Sequence, residues 1–281
     1  MQQVVVIARN ESEMKIASLI GFILFVTAFG GCRNQEIFTE PIKLENSSDI
    51  KREIFEAKKY PALLAVGKIK FIGQRQCSLV LVAEDVAVTA GHCILEASAE
   101  FNFRDEVNPF FTAIVFETKD GERIKDISVK RVLKVEQKPD YAIVRLTKKI
   151  SKDVIAPLKI SNLTIDEMIS RSKRLGCAGF NGDKLGNDGQ FMTISRNIKI
   201  LAETSASDMI DTNCISYYGG SGGLFFEETE DNKFYCLGVI WGMTDEKYNE
   251  QGEVVKDENI STSITPVSAF YNELTQIIGG K

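Results

Sequence analysis

Short apolar runs broken at close intervals by Gly, Asn and Asp constrain this chain more than any other feature. From Ala62 onward the runs are rich in Val, Ile, Leu and Phe. A first set covers Ala62–Ile72, Ser78–Ala83, Val86–Thr89, Phe110–Phe116, Ile127–Val135 and Tyr141–Leu146. A polar connection from Thr147 to about Lys173 follows. A second set covers Leu175–Phe180, Phe191–Ala202, Met209–Asn213, Gly223–Phe226, Phe234–Trp241 and Ile260–Thr265. Many short strands with few helical stretches predict an all-β protein. Six strands, a linker and six strands predict two packed six-stranded antiparallel barrels. Val267, Phe270, Tyr271, Leu274 and Ile278 fall at helical spacing and predict a C-terminal α-helix, with Pro266 in its first turn.

The expected organisation is a signal region (1–32), a polar tether (33–60), a first barrel (61–150), and a linker with second barrel and helix (151–281). Ile16 to Gly31 is an uncharged run preceded by Lys15, too short for a bilayer span and suited to a secretory core. Met14 would serve as its start. Ala28-Phe29-Gly30-Gly31-Cys32 resembles a bacterial lipobox, in which Cys32 carries lipid and becomes the mature N-terminus. Ordinary signal cleavage is the alternative, and a buried helix or single anchor is a third. All three readings export the chain, to a bacterial envelope or beyond it.

Apolar residues are 44% of the 281, enough for a sizeable core. The net charge of −5, with charge dispersed, argues against nucleic-acid binding, which needs a basic surface. None of the six cysteines forms a CxxC pair and zinc-site spacing is absent, so no metal is expected. There is one histidine, His92, and any mechanism that needs an imidazole must use it.

Three motifs carry chemistry. Thr89-Ala90-Gly91-His92-Cys93 follows a strand and opens a helical turn. Pro139-Asp140-Tyr141 places an acid just before an alternating strand. Gly219-Gly220-Ser221-Gly222-Gly223 precedes the apolar Leu224-Phe225-Phe226. Taken singly, a lone histidine is more often structural, an Asp often caps a turn, and a Gly-rich run is usually a loop. Together, and in this order, they resemble the trypsin and chymotrypsin family of serine peptidases over residues 62–281. Gly219-x-Ser221-x-Gly223 also matches the nucleophile elbow of α/β-hydrolases, but those place their histidine after the serine and none follows here.

The resemblance implies roles. Ser221 would be the nucleophile, His92 its base, and Asp140 the carboxylate that holds the imidazole tautomer. The N–H groups of Gly219 and Ser221 would form the oxyanion hole. Val239-Ile240-Trp241-Gly242 resembles the family's substrate-binding strand, and Ser216 falls in the region of the pocket base. The resemblance also implies a Cys77–Cys93 bridge and a Cys177–Cys236 bridge, with Cys214 left as a free thiol. No cofactor is needed, the partner is a protein or peptide substrate, and a monomer is expected.

Four departures stand out. Gly220 occupies the place of an aspartate that, in cleavage-activated relatives, pairs with a new N-terminus. Leu63-Leu64-Ala65-Val66-Gly67 lacks the matching Ile-Val-Gly-Gly start. The two absences agree with an enzyme that folds active without cleavage. Ile240 replaces a serine that supports the acid, and Cys214–Tyr218 holds no acid for Lys or Arg recognition. A catalytically silent homologue that binds protein is the alternative function.

Overall fold

The computed structural model describes residues 51–280 apart from 74, 102–106, 108–110, 172–173, 205–207, 245–246, 249–253 and 256–260. All lie in one compact unit, Lys43–Lys281. Cys32 and the export segment fall outside the described residues. Among those residues, no helix is long and apolar enough to cross a membrane.

In chain order the first strands are β1 (Lys51–Ile54), β2 (Val66–Phe71), β3 (Gln76–Ala83), β4 (Val86–Thr89), β5 (Thr112–Glu117), β6 (Arg123–Ile127), β7 (Val129–Gln137) and β8 (Asp140–Leu146). After them come β9 (Lys159–Ile160), β10 (Leu175–Gly179), β11 (Thr193–Arg196), β12 (Ile200–Thr204) and β13 (Met209–Thr212). The last are β14 (Leu224–Glu228), β15 (Phe234–Thr244), β16 (Lys247–Tyr248), β17 (Val254–Val255) and β18 (Ser261–Pro266). Helices α1 (Gly91–Phe101), α2 (Ile165–Ser170) and α3 (Tyr271–Gly279) complete the set.

Strands β2–β8 form one antiparallel sheet in the order β6-β5-β2-β3-β4-β8-β7. Its two edge strands are consecutive in sequence, so the sheet curls until Ser128 links both edges. Ser128 N donates to Thr147 Oγ1 at 3.0 Å, and Ser128 Oγ donates to Thr112 O at 2.8 Å. The second sheet runs β1-β11-β10-β14-β15-β18-β13-β12, with β9 parallel to β15. Two curled antiparallel sheets and a C-terminal helix are the expected chymotrypsin-like architecture.

Local differences have physical reasons. Strand β6 is charged and mostly exposed, so it carries no run of apolar residues to announce it. The expected strand Phe191–Ala202 is two strands, broken at Asn197, whose φ of 61° turns the chain out of line. Within the stretch read as a tether, Lys51–Ile54 pair with β11 and extend the second sheet. Pro266 ends β18 rather than starting the helix, and a 3-10 turn, Val267–Ala269, intervenes. Phe270 then stacks on Tyr141 with ring centroids 4.7 Å apart, which docks the helical end on the first barrel. Helix α2 starts with a capping box, in which the Thr164 side chain accepts from Glu167 N and Glu167 returns to Thr164 N.

Two disulfides are present, Cys77–Cys93 and Cys177–Cys214. The second overturns the expected Cys177–Cys236 pair and the free Cys214. Cys177 on β10 lies opposite Phe225 of β14, whereas Cys236 on β15 lies opposite Phe226. Neighbouring residues of a strand face opposite sides, so the two cysteines are on opposite faces. They are also two strands apart, about 10 Å, beyond the reach of a disulfide. Cys214 shares the Phe225 side with Cys177. Among the described cysteines, Cys236 is the free thiol; it is buried, and burial pushes its pKa up to about 12.

Candidate active site

His92 is the second residue of α1, and the first has to be glycine. A Cβ on Gly91 would lie 2.0 Å from Glu136 O and 3.0 Å from Asp140 Oδ1. That close approach lets one carboxylate reach two donors. Asp140 Oδ1 accepts from His92 N at 2.8 Å, and Oδ2 pairs with His92 Nδ1 at 2.9 Å. The first bond satisfies an N–H at the start of α1 that has no partner within the helix. The second points Nε2 toward the cleft. Asp140 is 1% exposed, while the His92 side chain is 28% exposed. A shielded acid thus holds an accessible base.

Support for Asp140 comes from a residue with no sequence signal. Thr265 Oγ1 of β18 donates to Asp140 O at 2.8 Å. Ile240, at the position read as lacking a supporting serine, is buried and packs in the second core. Its N donates to Gly223 O at 2.8 Å, and its O accepts from Gly222 N at 2.6 Å. Those bonds fasten β15 to the loop after Ser221.

Ser221 lies between the barrels, and Ser78 of β3 is the bridge. Ser78 N donates to Ser221 O at 2.7 Å, and Ser78 Oγ donates to Gly219 O at 2.9 Å. Ser78 Oγ also accepts from Phe180 N at 2.9 Å, and Thr89 Oγ1 donates to Ser78 O at 2.7 Å. Two glycines make the approach possible. Gly222, at φ 78°, has Thr89 Oγ1 2.0 Å from where a Cβ would be, and Gly219, at φ 87°, has Phe180 O at 2.6 Å.

The loop leaves two donors open. Gly220, Gly222 and Gly223 each give their N–H to a backbone oxygen. Among the described residues, Gly219 and Ser221 give theirs to none. Backbone N–H groups without a partner inside the chain are available to an anion.

His92 and Ser221 line two adjoining cavities. One, of about 360 Å³, is bounded by Phe71, Arg75, Glu96 and Tyr218. The other, of about 570 Å³, is bounded by Lys138, Met209, Trp241 and Gly242. An added Cβ on Gly242 would be 4.0 Å from Ser221 Oγ, so this glycine faces the serine across the cleft. Nε2 of His92 is 3.7 Å from Cys93 Sγ. Among the described residues, no hydrogen bond joins Nε2 to Ser221 Oγ. Such bonds are often long without substrate and tighten on binding.

Of the expected substrate-binding residues, Trp241 and Gly242 line the cleft. Ser216 and Ile240 line neither cavity. Ser216 is 1% exposed, and its hydroxyl donates to Asn181 Oδ1, so it serves the loop rather than the pocket. Cys77, His92 and Cys93 offer atoms within 4.8 Å of one another, but both sulfurs are held in the disulfide.

A buried carboxylate paired with a histidine, with a serine lining the same cleft, is an arrangement that serine-hydrolase chemistry can use. The trypsin family model matches residues 56–255, and the chain belongs to the trypsin family of serine peptidases. A search of curated proteins finds no match.

Proposed function

We propose that this chain is a serine endopeptidase that cleaves peptide bonds through an acyl-enzyme. The observation that carries the reading is the buried Asp140 carboxylate bound to both the backbone and Nδ1 of His92, with His92 and Ser221 lining the same cleft. A silent binding module has no chemical need for a carboxylate that fixes an imidazole tautomer.

The extended substrate would lie along β15 and pair with the backbone of Trp241–Gly242, a form of strand addition. His92 Nε2 takes the Ser221 hydroxyl proton as Oγ attacks the scissile carbonyl. Asp140 stays ionised and stabilises the imidazolium. The new oxyanion is received by the N–H groups of Gly219 and Ser221, each donor worth about 3–4 kcal/mol of barrier. Imidazolium then protonates the leaving amine. Water, activated by the same base, releases the acid product and restores Ser221. Residues, water and substrate suffice for every proton and bond in this cycle.

Export belongs to the same proposal. The two disulfides fit an oxidising compartment. Lipid on Cys32 would hold the domain at a membrane surface, with residues 33–50 as spacer.

A fluorophosphonate probe tests the activity. Labelling of the wild-type chain that is lost in Ser221→Ala is the expected result. No labelling of a folded wild-type chain would favour the binding module. Uptake of an alkyne fatty acid, lost in Cys32→Ser, tests the anchor.

A further inference from the structure

No side chain fits at the position before the candidate nucleophile. A Cβ on Gly220 would lie 2.2 Å from Ser216 Oγ and 2.5 Å from Asn181 Oδ1. The Asn181 amide fills that space and is 2% exposed. Its Oδ1 accepts from Tyr217 N at 2.6 Å and from Ser216 Oγ at 3.2 Å. Its Nδ2 donates to Thr193 Oγ1 at 2.8 Å and to Gly179 O at 3.3 Å. Gly182 N adds a bond to Tyr218 O at 2.7 Å. The stretch from Ser216 to Tyr218, which leads into Gly219 and Ser221, is therefore held by a buried carboxamide bonded at both ends, with Gly182 beside it.

That carboxamide is braced from outside the two expected barrels. Arg52 of β1, with its side chain 9% exposed, donates from Nε and Nη2 to Thr193 Oγ1 at 3.2 and 3.0 Å. Its two terminal nitrogens also reach Asp183 at 2.6 and 2.8 Å. The guanidinium lies 5.0 Å from the Tyr217 ring centroid, on the loop itself. A planar fork bound on both sides transmits position well, because a guanidinium cannot keep both partners if it rotates. Among the described residues, β1 is an edge strand that pairs only with β11.

We propose that Asn181, braced by Arg52 through Thr193 and Asp183, is the positioning residue that holds Ser216–Ser221 with the Gly219 and Ser221 N–H groups aimed into the cleft. This rests on the peptidase reading above and adds its regulation. The loop is set by groups internal to the chain, so no cleavage-generated N-terminus is required. Activity instead depends on β1 staying docked. Cutting the chain between the strand and the barrel would lower activity, the reverse of a zymogen.

The test uses the full chain with Asn181→Ala, Arg52→Ala, Arg52→Lys and Ser216→Ala. A p-nitrophenyl ester serves as substrate, phenylboronic acid as a mimic of the tetrahedral adduct, and fluorophosphonate labelling as the count of active sites. Asn181→Ala should lower kcat about 100-fold, the scale of one lost oxyanion donor, with KM within about threefold. Affinity for the boronic acid should fall by a similar factor. Arg52→Ala should fall less, about tenfold, and Arg52→Lys should recover part of it. Folded variants with wild-type kcat and boronic acid affinity would overturn the proposal and leave Asn181 a purely structural residue. If Asn181→Ala does not fold, Arg52→Ala and Ser216→Ala decide by the same two readouts. A wild-type chain that takes no fluorophosphonate would overturn the peptidase reading and this inference with it. A labelled wild type with unaffected variants overturns this inference alone.

Discussion

The two barrels contribute to the site in different ways. In the first, the contact between His92 and Asp140, the proposed base and acid, is made by neighbouring elements of one barrel, with Thr265 of β18 adding a bond from the second. Gly91 admits α1 close to the turn before β8, and Asp140 closes the contact with two bonds. In the second, the loop of Ser221 is held from several directions, within its own barrel and from the first. Ser78 reaches it from the first barrel, and Asn181 reaches it from the end of β10. An acid–base pair needs one rigid distance, which neighbouring elements of a sheet can supply. A loop that must aim two N–H groups needs its whole backbone path fixed, and contacts from several directions do that better.

The largest effects should separate the chemistry from its supports. Ser221→Ala and His92→Ala should each lower kcat about a million-fold, and Asp140→Asn about ten-thousand-fold. The double variant Ser221→Ala/His92→Ala should be no worse than either single one, since the residues act as a unit. Additive losses in a peptide or ester assay would break the assignment across both barrels.

Disulfide removal should distinguish the barrels by stability. Cys177–Cys214 spans 37 residues and Cys77–Cys93 spans 16. Replacing each pair with alanine should cost about 4 and about 3 kcal/mol, measured by denaturant unfolding. Peptide mapping after iodoacetamide sharpens this result. Among the five described cysteines, only Cys236 should be alkylated without reductant, and only in denaturant. Native-state alkylation of Cys236 would contradict its burial and raised thiol pKa.

Ser78→Ala would remove the hydroxyl that ties the first barrel to the Ser221 loop, leaving the bond from Ser78 N to Ser221 O in place. It leaves Gly219 O and Phe180 N without their buried partner, at about 1–3 kcal/mol of stability. A kcat loss of about tenfold should accompany it, because Gly219 is then freer to turn. A variant with full activity would show that the loop holds without the Ser78 hydroxyl.

The smallest effect concerns a second link between barrels. Lys68 of β2 is 9% exposed, and its Nζ donates to Gly189 O at 2.6 Å. Burial first, then the charges of Lys70 and Arg123, lower its pKa from 10.5 to about 8. Between those values the unfolded chain binds more protons than the folded one, so this group's contribution to stability rises with pH. Lys68→Met should therefore raise the melting temperature near pH 7 by about 2–4 °C, equivalent to about 1 kcal/mol. The gain should shrink as pH climbs from 8 toward 10.5. A gain that does not change with pH would mean the charge on Lys68 carries no cost.

His92, Asp140 and Ser221, the residues proposed for the site, each stand in a short motif, and the order of the three motifs is what singles them out in the chain. Gly91 and Gly222 belong to these motifs, each excluded from carrying a side chain by a backbone or hydroxyl oxygen. The strand pattern of both sheets was legible where strands are buried on an apolar face. It failed at β6, which is charged, and at β1, where Lys51–Ile54 read as part of a polar tether. The residues that support the site had no such signature. Asn181, Thr193, Thr265 and Ser78 are ordinary polar residues in sequence, and burial beside a partner far along the chain gives them their roles.

The sequence by itself determined the residue types that chemistry needs, their order, and the alternating or glycine-rich segments that present them. Those depend on contacts within a few residues or within one strand pair. Only the tertiary structure decided which cysteine Cys177 could reach, that Ser216 faces inward to Asn181, and that Arg52 braces the second barrel. Each of those outcomes depends on strand order and on which face of a sheet a side chain occupies. One intervening strand adds about 5 Å, and one step along a strand reverses the face. Spacing along the chain carries neither quantity, so the pairing of distant groups was settled only when the sheets closed.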